Sequence, residues 1–524
     1  MGSASHISGA ERRWAWLWSA LIVGLTCLPF LLAWQATPDG GQYTGLLINH
    51  YDGESYYAKM QQGARGDWLF HLAFTPEPHD GALIFTFYLA LGQLSATLDL
   101  PIPVVYHLAR ALAGLLLLIV AYHFIARFFD RVTTRRAAFL LLGFSAGLGW
   151  LLAPLGLITA DLWVAEGFTF LSILANPHFP LSISLMLLIF LSALDLGERP
   201  LRIPRLLGAA GLGLLLAVIQ PFAVPIVLVV LGVYLVIIAW RNRRLPWSEI
   251  ATAGAVAAGS APIMFYDLYV YNTNPALAAW SAQNLTPSLP PWDYALGYGL
   301  ILLLALGGIA VAVRRRECPD LFLLAWVGSV VVLLYVPFAL QRRFITGLHV
   351  PLTLLAALGL EQILLPRVKS RRRALATGLI VGLTALTNLF VPLVSVVGVS
   401  QGRQPLVMTG DQAAANAWLR DNTAWTDTVL APPEAGQFIP AWAGNRVVYG
   451  HPFETIDAET KEAEATRFFS PEASTAERRD LLDRYGVRYV LALAAEPDLS
   501  PLALGLTSVW SSNEAVIYQV GAGP

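Results

Sequence analysis

Apolar runs of about 17 or more residues recur along the chain, the length that spans the hydrocarbon core of a bilayer. The first is Trp14 to Trp34, "WAWLWSALIVGLTCLPFLLAW", preceded by Arg12 and Arg13. No small-residue cleavage site follows it, so it reads as an uncleaved spanning helix and not as a signal peptide. Short loops rich in Lys and Arg stay on the cytoplasmic side. Six such clusters interrupt the apolar runs, at 11–13, 127–136, 198–205, 241–244, 314–316 and 367–373. Placing all six inside predicts spans near 14–34, 103–126, 137–158, 179–197, 206–221, 223–240, 248–268, 297–313, 320–340, 347–365 and 374–397. That is about 11 transmembrane helices, with the N-terminus in and the C-terminus out. The apolar stretch Gly81 to Leu98 cannot cross without breaking this count, so it is expected to lie at the outer interface or to enter and return.

The pattern changes after residue 400. "DTVLAPP", "NRVVYGH", "VRYVLAL" and "EAVIYQV" alternate as short strands, and "DQAAANAWLRDN" and "AERRDLLDRYG" read as helices between them. The expected fold class is therefore mainly α: a polytopic helical membrane protein with a small C-terminal extracytoplasmic α/β domain. The expected domains are a transmembrane part over 1–400, with a long first outer loop at 35–102, and an α/β domain over 401–524.

Composition sharpens this picture. The chain is 56% hydrophobic and only 13% charged, where soluble domains run near a quarter charged. A formal net charge of −1 gives no pointer to nucleic acid, and no such partner is expected. Cys27 and Cys318, one in a span and one in a basic loop, do not form a disulfide framework.

The candidate chemistry gathers in the outer loops. "YDGESYYAKMQQG" fits a short helix with Asp52 as N-cap, Glu54 in its first turn and Gly63 as its stop. Either Asp52 or Glu54 could also serve as a general base, accepting the proton that an attacking hydroxyl or amine must lose. "TPEPHDG" brings Glu77 and His79 to the end of the same loop, either as a solvated turn or as ligands of a divalent metal. Asn176 and His178 in "ILANPHFP" stand at a span mouth, as a helix-entry turn or as substrate contacts.

"ALQRRF" puts Gln341, Arg342 and Arg343 on the outside, against the positive-inside trend. They either snorkel to headgroups or bind phosphate through the planar guanidinium fork. Arg110 lies about two turns below the outer end of its span, where burial is costly without a partner. Asn272, Asn274, Gln283, Asn284, Trp292, Asp293 and Tyr294 form a polar and aromatic set suited to a sugar or to an interfacial loop. Apart from Arg110 the predicted spans carry almost no ionisable residues at mid-membrane depth. Ion-coupled transporters generally need them there.

These features resemble the GT-C superfamily of integral-membrane glycosyltransferases, which includes protein O-mannosyltransferases and the lipid A aminoarabinose transferase. The resemblance covers roughly 10–400. It rests on the first span, a long outer loop with the acidic "YDGESYY" and a following "GDW", "TPEPH" before a membrane-lying helix, the Arg-bearing span "YHLARALAG", and the α/β tail. It implies transfer of a sugar, with inversion, from a polyprenyl-phosphate-linked donor to a lipid, glycan or protein acceptor on the outer face. By the family's pattern the loop acid maps on Asp52, with Glu54 as the alternative, because Gly53 separates residues that are adjacent Asp-Glu in O-mannosyltransferases.

A phosphate leaving group needs no general acid, so one carboxylate base and a cationic clamp of Arg342, Arg343 and Arg110 would suffice. Glu77, His79, Asn176, His178 and Gln341 would contact substrate. No cofactor is expected beyond a divalent metal at most. The absence of eukaryotic sugar-binding repeats in the tail points to a multi-pass plasma-membrane protein of a bacterium or archaeon. A flippase for a lipid-linked sugar and a non-catalytic membrane scaffold are the rival readings.

Overall fold

The structure, a computed structural model, describes residues 7–194, 202–493, 499 and 501–521. The end of the predicted 179–197 span and the first part of the basic cluster at 198–205 lie outside the described residues. Each of the eleven predicted spans falls mainly on a helix. Among the described residues seven helices are long and apolar enough to cross a membrane: Gly9–Gln35, Ile102–Ile125, Val132–Leu155, Ala223–Asn242, Pro291–Arg315, Gln341–Arg367 and Ser370–Ser400. Three more apolar helices are shorter, His178–Leu194, Ile203–Ile219 and Cys318–Leu333, and Trp247–Thr273 runs for 27 residues. The protein is thus a helical membrane protein. The first four helices outside the tail are α1 (Gly9–Gln35), α2 (His50–Ala64), α3 (Thr86–Leu98) and α4 (Ile102–Ile125). At 13 residues α3 rises about 20 Å, short of the roughly 30 Å apolar core.

The chain divides into two compact units that interleave along the sequence. The first comprises 1–29, 107–266 and 286–394. Its interior is an aromatic cluster in which Phe190 lies 4.7 Å from Trp326 and 5.1 Å from Phe322, with Phe124 6.0 Å from Trp326. Helices approach closely where side chains are smallest. A Cβ on Gly308 would collide with the Leu355 carbonyl, and one on Gly359 with the Leu304 carbonyl, the small-residue packing usual between membrane helices. Near the start of α1 a buried Glu11 accepts from Arg135 and from the Tyr122 hydroxyl, both at 2.9 Å.

The second unit comprises 30–106, 267–285 and 395–524, so the first outer loop and the tail share one compact body. Strand β1 (Gly41–Tyr43) pairs antiparallel with β2 (Val407–Thr409), Gly41 facing Thr409. A five-stranded sheet follows, with β3 (Thr428–Leu430), β4 (Arg446–Val447), β5 (Val487–Leu493), β6 (Leu506–Ser511) and β7 (Ala515–Val520) in the order β4-β3-β5-β7-β6. The β3 pairings are parallel and the β7 pairings antiparallel. Helix Gly410–Asn422 opens with a capping box between Thr409 and Gln412, and helix Thr475–Arg484 with one between Ser474 and Glu477. Ala58 of α2 belongs to the same apolar cluster as Val429, Ala431, Ile439 and Ile517 of the tail.

Helix α2 corrects the sequence reading in two places. Its N-cap is Asn49, in the left-handed region at φ 49°, not Asp52, which lies within the first turn. Asn tolerates that conformation better than most residues, and so the helix starts three residues earlier. Gly63 does not end the helix, which continues to Ala64. A side chain there would collide with the Leu89 carbonyl of α3, and one on Gly92 of α3 with the Met60 carbonyl. The two glycines let α2 and α3 touch backbone to backbone.

Candidate active-site residues and their surroundings

In the second unit α2 presents three groups whose conditions differ. Asp52 is half-buried, and among the described residues its carboxylate makes no hydrogen bond or ion pair. Its charge acts on His50 and His451, partly offsetting the burial that lowers the pKa of both imidazoles. Glu54, two residues on, is 1% exposed. One of its oxygens accepts the Trp442 indole N–H at 3.1 Å and the other has no partner. Burial pushes the Glu54 carboxyl well above the usual range, against the opposing pull of Trp442.

Lys59 is the third group. It pairs with Glu454 at 2.7 Å and donates to Ser55, whose hydroxyl donates to Glu454 at 2.5 Å. Phe85 and Phe70 face the ammonium at 4.5 and 5.2 Å from their ring centres. Burial would raise the pKa of Glu454, but Lys59 and His451 hold it below the ordinary value. His451 Nδ1 accepts the backbone N–H groups of Phe453 and Glu454, both at 3.0 Å, which leaves the ring proton on Nε2 in the neutral form. Its ring meets Tyr51 edge to face at 5.5 Å.

The Thr75–Gly81 stretch is tied down by its own bonds. The Glu77 carboxylate takes Lys461 and the Thr75 hydroxyl. His79 accepts Leu72 N–H at Nε2, 2.9 Å, and faces the Glu77 carbonyl through Nδ1, 2.8 Å. Among the described residues no group of three or more His, Cys, Asp and Glu side chains is arranged to hold a metal ion. The polar set at 272–294 separates. Asn274 caps helix Pro275–Gln283 and donates to the Asp80 carbonyl at 2.8 Å. Trp280 donates to the Phe453 carbonyl at 2.8 Å, and Gln283 accepts the Asp457 N–H at 3.0 Å. Asp293 belongs to the other unit, where it accepts the Ala160 N–H at 2.8 Å.

The arginines also belong to the first unit. Gln341, Arg342 and Arg343 lie on one turn of 3-10 helix, Gln341–Ile345. The Arg342 guanidinium lies 4.4 Å over Trp163, and Arg343 reaches Glu166 at 3.4 Å. The Gln341 amide faces the Val336 and Leu334 carbonyls at 2.9 and 3.0 Å, oriented to donate to both. Asn176 closes the helix Thr169–Ala175 and His178 opens the next, its ring 4.1 Å from Phe179. Arg110 is 1% exposed and donates to the Ile173 carbonyl (2.7 Å), Thr26 (3.3 Å) and His107 Nδ1 (3.2 Å). Its charge is thus met by polar groups inside its own helical unit.

Sequence reasoning missed Lys59, Ser55, Glu454, His451 and Trp442. The buried lysine was legible only as one more polar position of α2, and its partners stand about 400 residues away.

No protein-family model matches the chain, and no curated protein matches it by sequence. Solved structures do match it in shape. ArnT from Cupriavidus metallidurans in the apo state aligns with a TM-score of 0.54 at 15% identity, covering 97% of this chain and 99% of that one. The same protein bound to undecaprenyl phosphate gives 0.53 at 13% identity, with the same coverage. The apo oligosaccharyltransferase of Archaeoglobus fulgidus gives 0.53 at 16% identity, over 99% of this chain and 75% of that one. The likeness runs over almost the whole chain and gives this protein the fold shared by ArnT and the oligosaccharyltransferase.

Proposed function

We propose that the protein is a membrane glycosyltransferase that moves a sugar from a polyprenyl-phosphate-linked donor to an acceptor at the outer membrane surface, with Asp52 as general base. The observation that carries this reading is the pairing of a GT-C fold with a half-buried carboxylate whose hydrogen-bonding capacity is unspent. The ArnT structure bound to undecaprenyl phosphate supports the choice of donor carrier. The acceptor hydroxyl or amine attacks the anomeric carbon, and the carbon–oxygen bond to the donor phosphate breaks with inversion. The acceptor proton passes to Asp52, and the electron pair leaves on the polyprenyl phosphate. Glu54 suits this role less well, because burial works against its charged form and one of its oxygens already accepts the Trp442 indole N–H.

The leaving phosphate needs positive charge rather than a proton donor. Arg342 and Arg343 are the candidates for that task, with Arg110, held by Ile173, Thr26 and His107, as the third. Gln341, Asn176, His178, Glu77 and His79 remain candidates for contacts to donor or acceptor. The bacterial or archaeal envelope and an extracytoplasmic tail complete the proposal.

The test is mass spectrometry of envelope glycolipids and glycoproteins from cells carrying the wild type, Asp52→Asn or Glu54→Gln. One glycoform should vanish with the gene and with Asp52→Asn at normal protein level, and persist with Glu54→Gln. An unchanged profile in Asp52→Asn would sink the base assignment. Labelled donor that crosses proteoliposomes with its sugar untransferred would favour a flippase instead.

A further inference from the structure

Three basic side chains of the second unit converge on one indole. The guanidinium carbon of Arg65 lies 4.2 Å from the ring centre of Trp425, and that of Arg446 lies 4.9 Å from it. The His71 ring stands 5.2 Å from the same indole, and His79 stands 5.7 Å from His71. The charges around this ring do not balance. Arg65 pairs with Asp67 at 2.5 Å and points toward the Gly444 carbonyl at 3.5 Å. Among the described residues Arg446 has no ion pair and no side-chain hydrogen bond, and its Nε is buried. His71 Nδ1 is buried without a partner as well.

Stacking alone does not account for Arg446. Arg65 already covers Trp425, and a second guanidinium within 4.9 Å of the same ring centre adds like-charge repulsion that the single carboxylate of Asp67 meets only in part. Burial, then the Arg65 charge, works against the charged form of Arg446. Burial, then His79 and Arg446, does the same to His71. A buried donor without an acceptor costs about 1–3 kcal/mol. An anion with several acceptor oxygens would relieve both the repulsion and the idle donors. A planar guanidinium fork suits phosphate or carboxylate, and two forks with an imidazole suit the three free oxygens of a phosphate monoester. The surroundings are apolar: Trp68 is 52% and Leu69 47% exposed. Gly81 lies against both Leu69 and the His71 ring, which puts that exposed leucine on the His71 side of the cluster.

We propose that Arg65, Arg446 and His71 form, around Trp425, a binding site for a phosphate group, with Trp68 and Leu69 placed to meet an apolar chain attached to it. The site lies beyond the far end of α2 from Asp52, about 20 Å along the helix, and it does not depend on the transfer reaction.

Calorimetric titration of the full-length protein in detergent tests it, with dodecyl phosphate and inorganic phosphate as probes. Dodecyl phosphate should bind and be displaced by excess inorganic phosphate. Arg446→Gln should weaken it at least tenfold while Arg484→Gln, at an exposed arginine of helix Thr475–Arg484, leaves it in place. Equal affinity for the two probes would mark a soluble phosphate as the ligand, and tighter dodecyl phosphate a lipid one. Should Arg446→Gln fail to fold, Arg446→Lys keeps the charge, removes the fork and should still weaken binding. The proposal is overturned if neither probe binds the wild type, if binding is unchanged in both Arg446 variants, or if Arg484→Gln weakens it as much as Arg446→Gln.

Discussion

In the first unit Asp161 accepts the N–H groups of Gly147 and Gly149, both at 3.0 Å, and the Thr159 hydroxyl at 2.6 Å. In the second, Asp52 accepts nothing among the described residues, and Glu54 accepts one indole. All three are carboxylates of a greasy chain, yet their capacity is spent differently. Asp161 is saturated, and its work is to hold two loops together. Asp52 keeps its lone pairs for something that comes and goes. The difference teaches that a carboxylate's promise as a base lies in its unspent acceptors rather than in its place in a motif.

The largest effect expected from this contrast is on turnover. Asp52→Asn should lower transfer by about 10²–10⁴-fold without shifting the melting temperature, since no protein partner is lost. A large drop in melting temperature would instead put Asp52 with Asp161 as a structural group.

The ion pair two turns along sharpens the comparison. Lys59→Met leaves Glu454 buried and unpaired, at a cost of about 3–5 kcal/mol. The double variant Lys59→Met, Glu454→Leu should recover much of that loss. Thermal melts of the three proteins in one detergent decide the matter, and no recovery would mean that the two sites act independently.

Next in size is Asp161→Ala, which orphans two backbone amides at about 1–3 kcal/mol each. It should lower the melting temperature while the KM for donor stays near the wild-type value. A changed KM with an unchanged melt would move Asp161 from structure to substrate.

The smallest effect concerns Glu54 and depends on pH. Its folded pKa is raised above the unfolded value, so folding favours the protonated form. The stability this gives is full below the unfolded pKa and is lost as pH rises toward the folded one, by up to about 1.4 kcal/mol per unit. Glu54→Gln should therefore melt like the wild type near pH 4 and above it at pH 8. Glu454 has the opposite sign: its pKa is lowered, so its contribution is present above the unfolded value and is lost as pH falls through the folded one. Equal melts of Glu54→Gln and wild type at pH 8 would mean that the Glu54 carboxyl finds water.

Much of the fold was legible because membrane helices and alternating strands are local patterns. Among the described residues the predicted spans fall mainly on helices, seven of which are long and apolar enough to cross a membrane, and "DTVLAPP", "NRVVYGH", "VRYVLAL" and "EAVIYQV" contain β3, β4, β5 and β7. Strand β6 escaped because "LTSVWS" has no clean alternation and most of it is exposed or half-exposed. The β1–β2 pair is three residues long on each side, too short to leave a period. In α2 the segment Asp52-Gly53-Glu54 looked like a helix start because Asp is a strong cap, whereas the left-handed Asn49 took that place. The site was legible only as types of residue. That Glu54 is buried, that Lys59 is paired and that Arg446 meets Trp425 are facts about partners hundreds of positions away, and no local period carries them.

The pairing of Gly41 with Thr409 has a further consequence for how the protein is made. A ribosome adding about 5–20 residues per second exposes β1 roughly 20–70 s before β2 exists. Until then the strand edge at 41–43 is bare, and Lys59 has yet to meet Glu454. Helix α2 must therefore wait, unfinished, for almost the entire membrane part to be made. Quality control has a natural checkpoint here: a chain that stalls midway has its spans but offers chaperones and proteases an open hairpin half, and only a chain translated past the tail strands can complete the unit that holds α2.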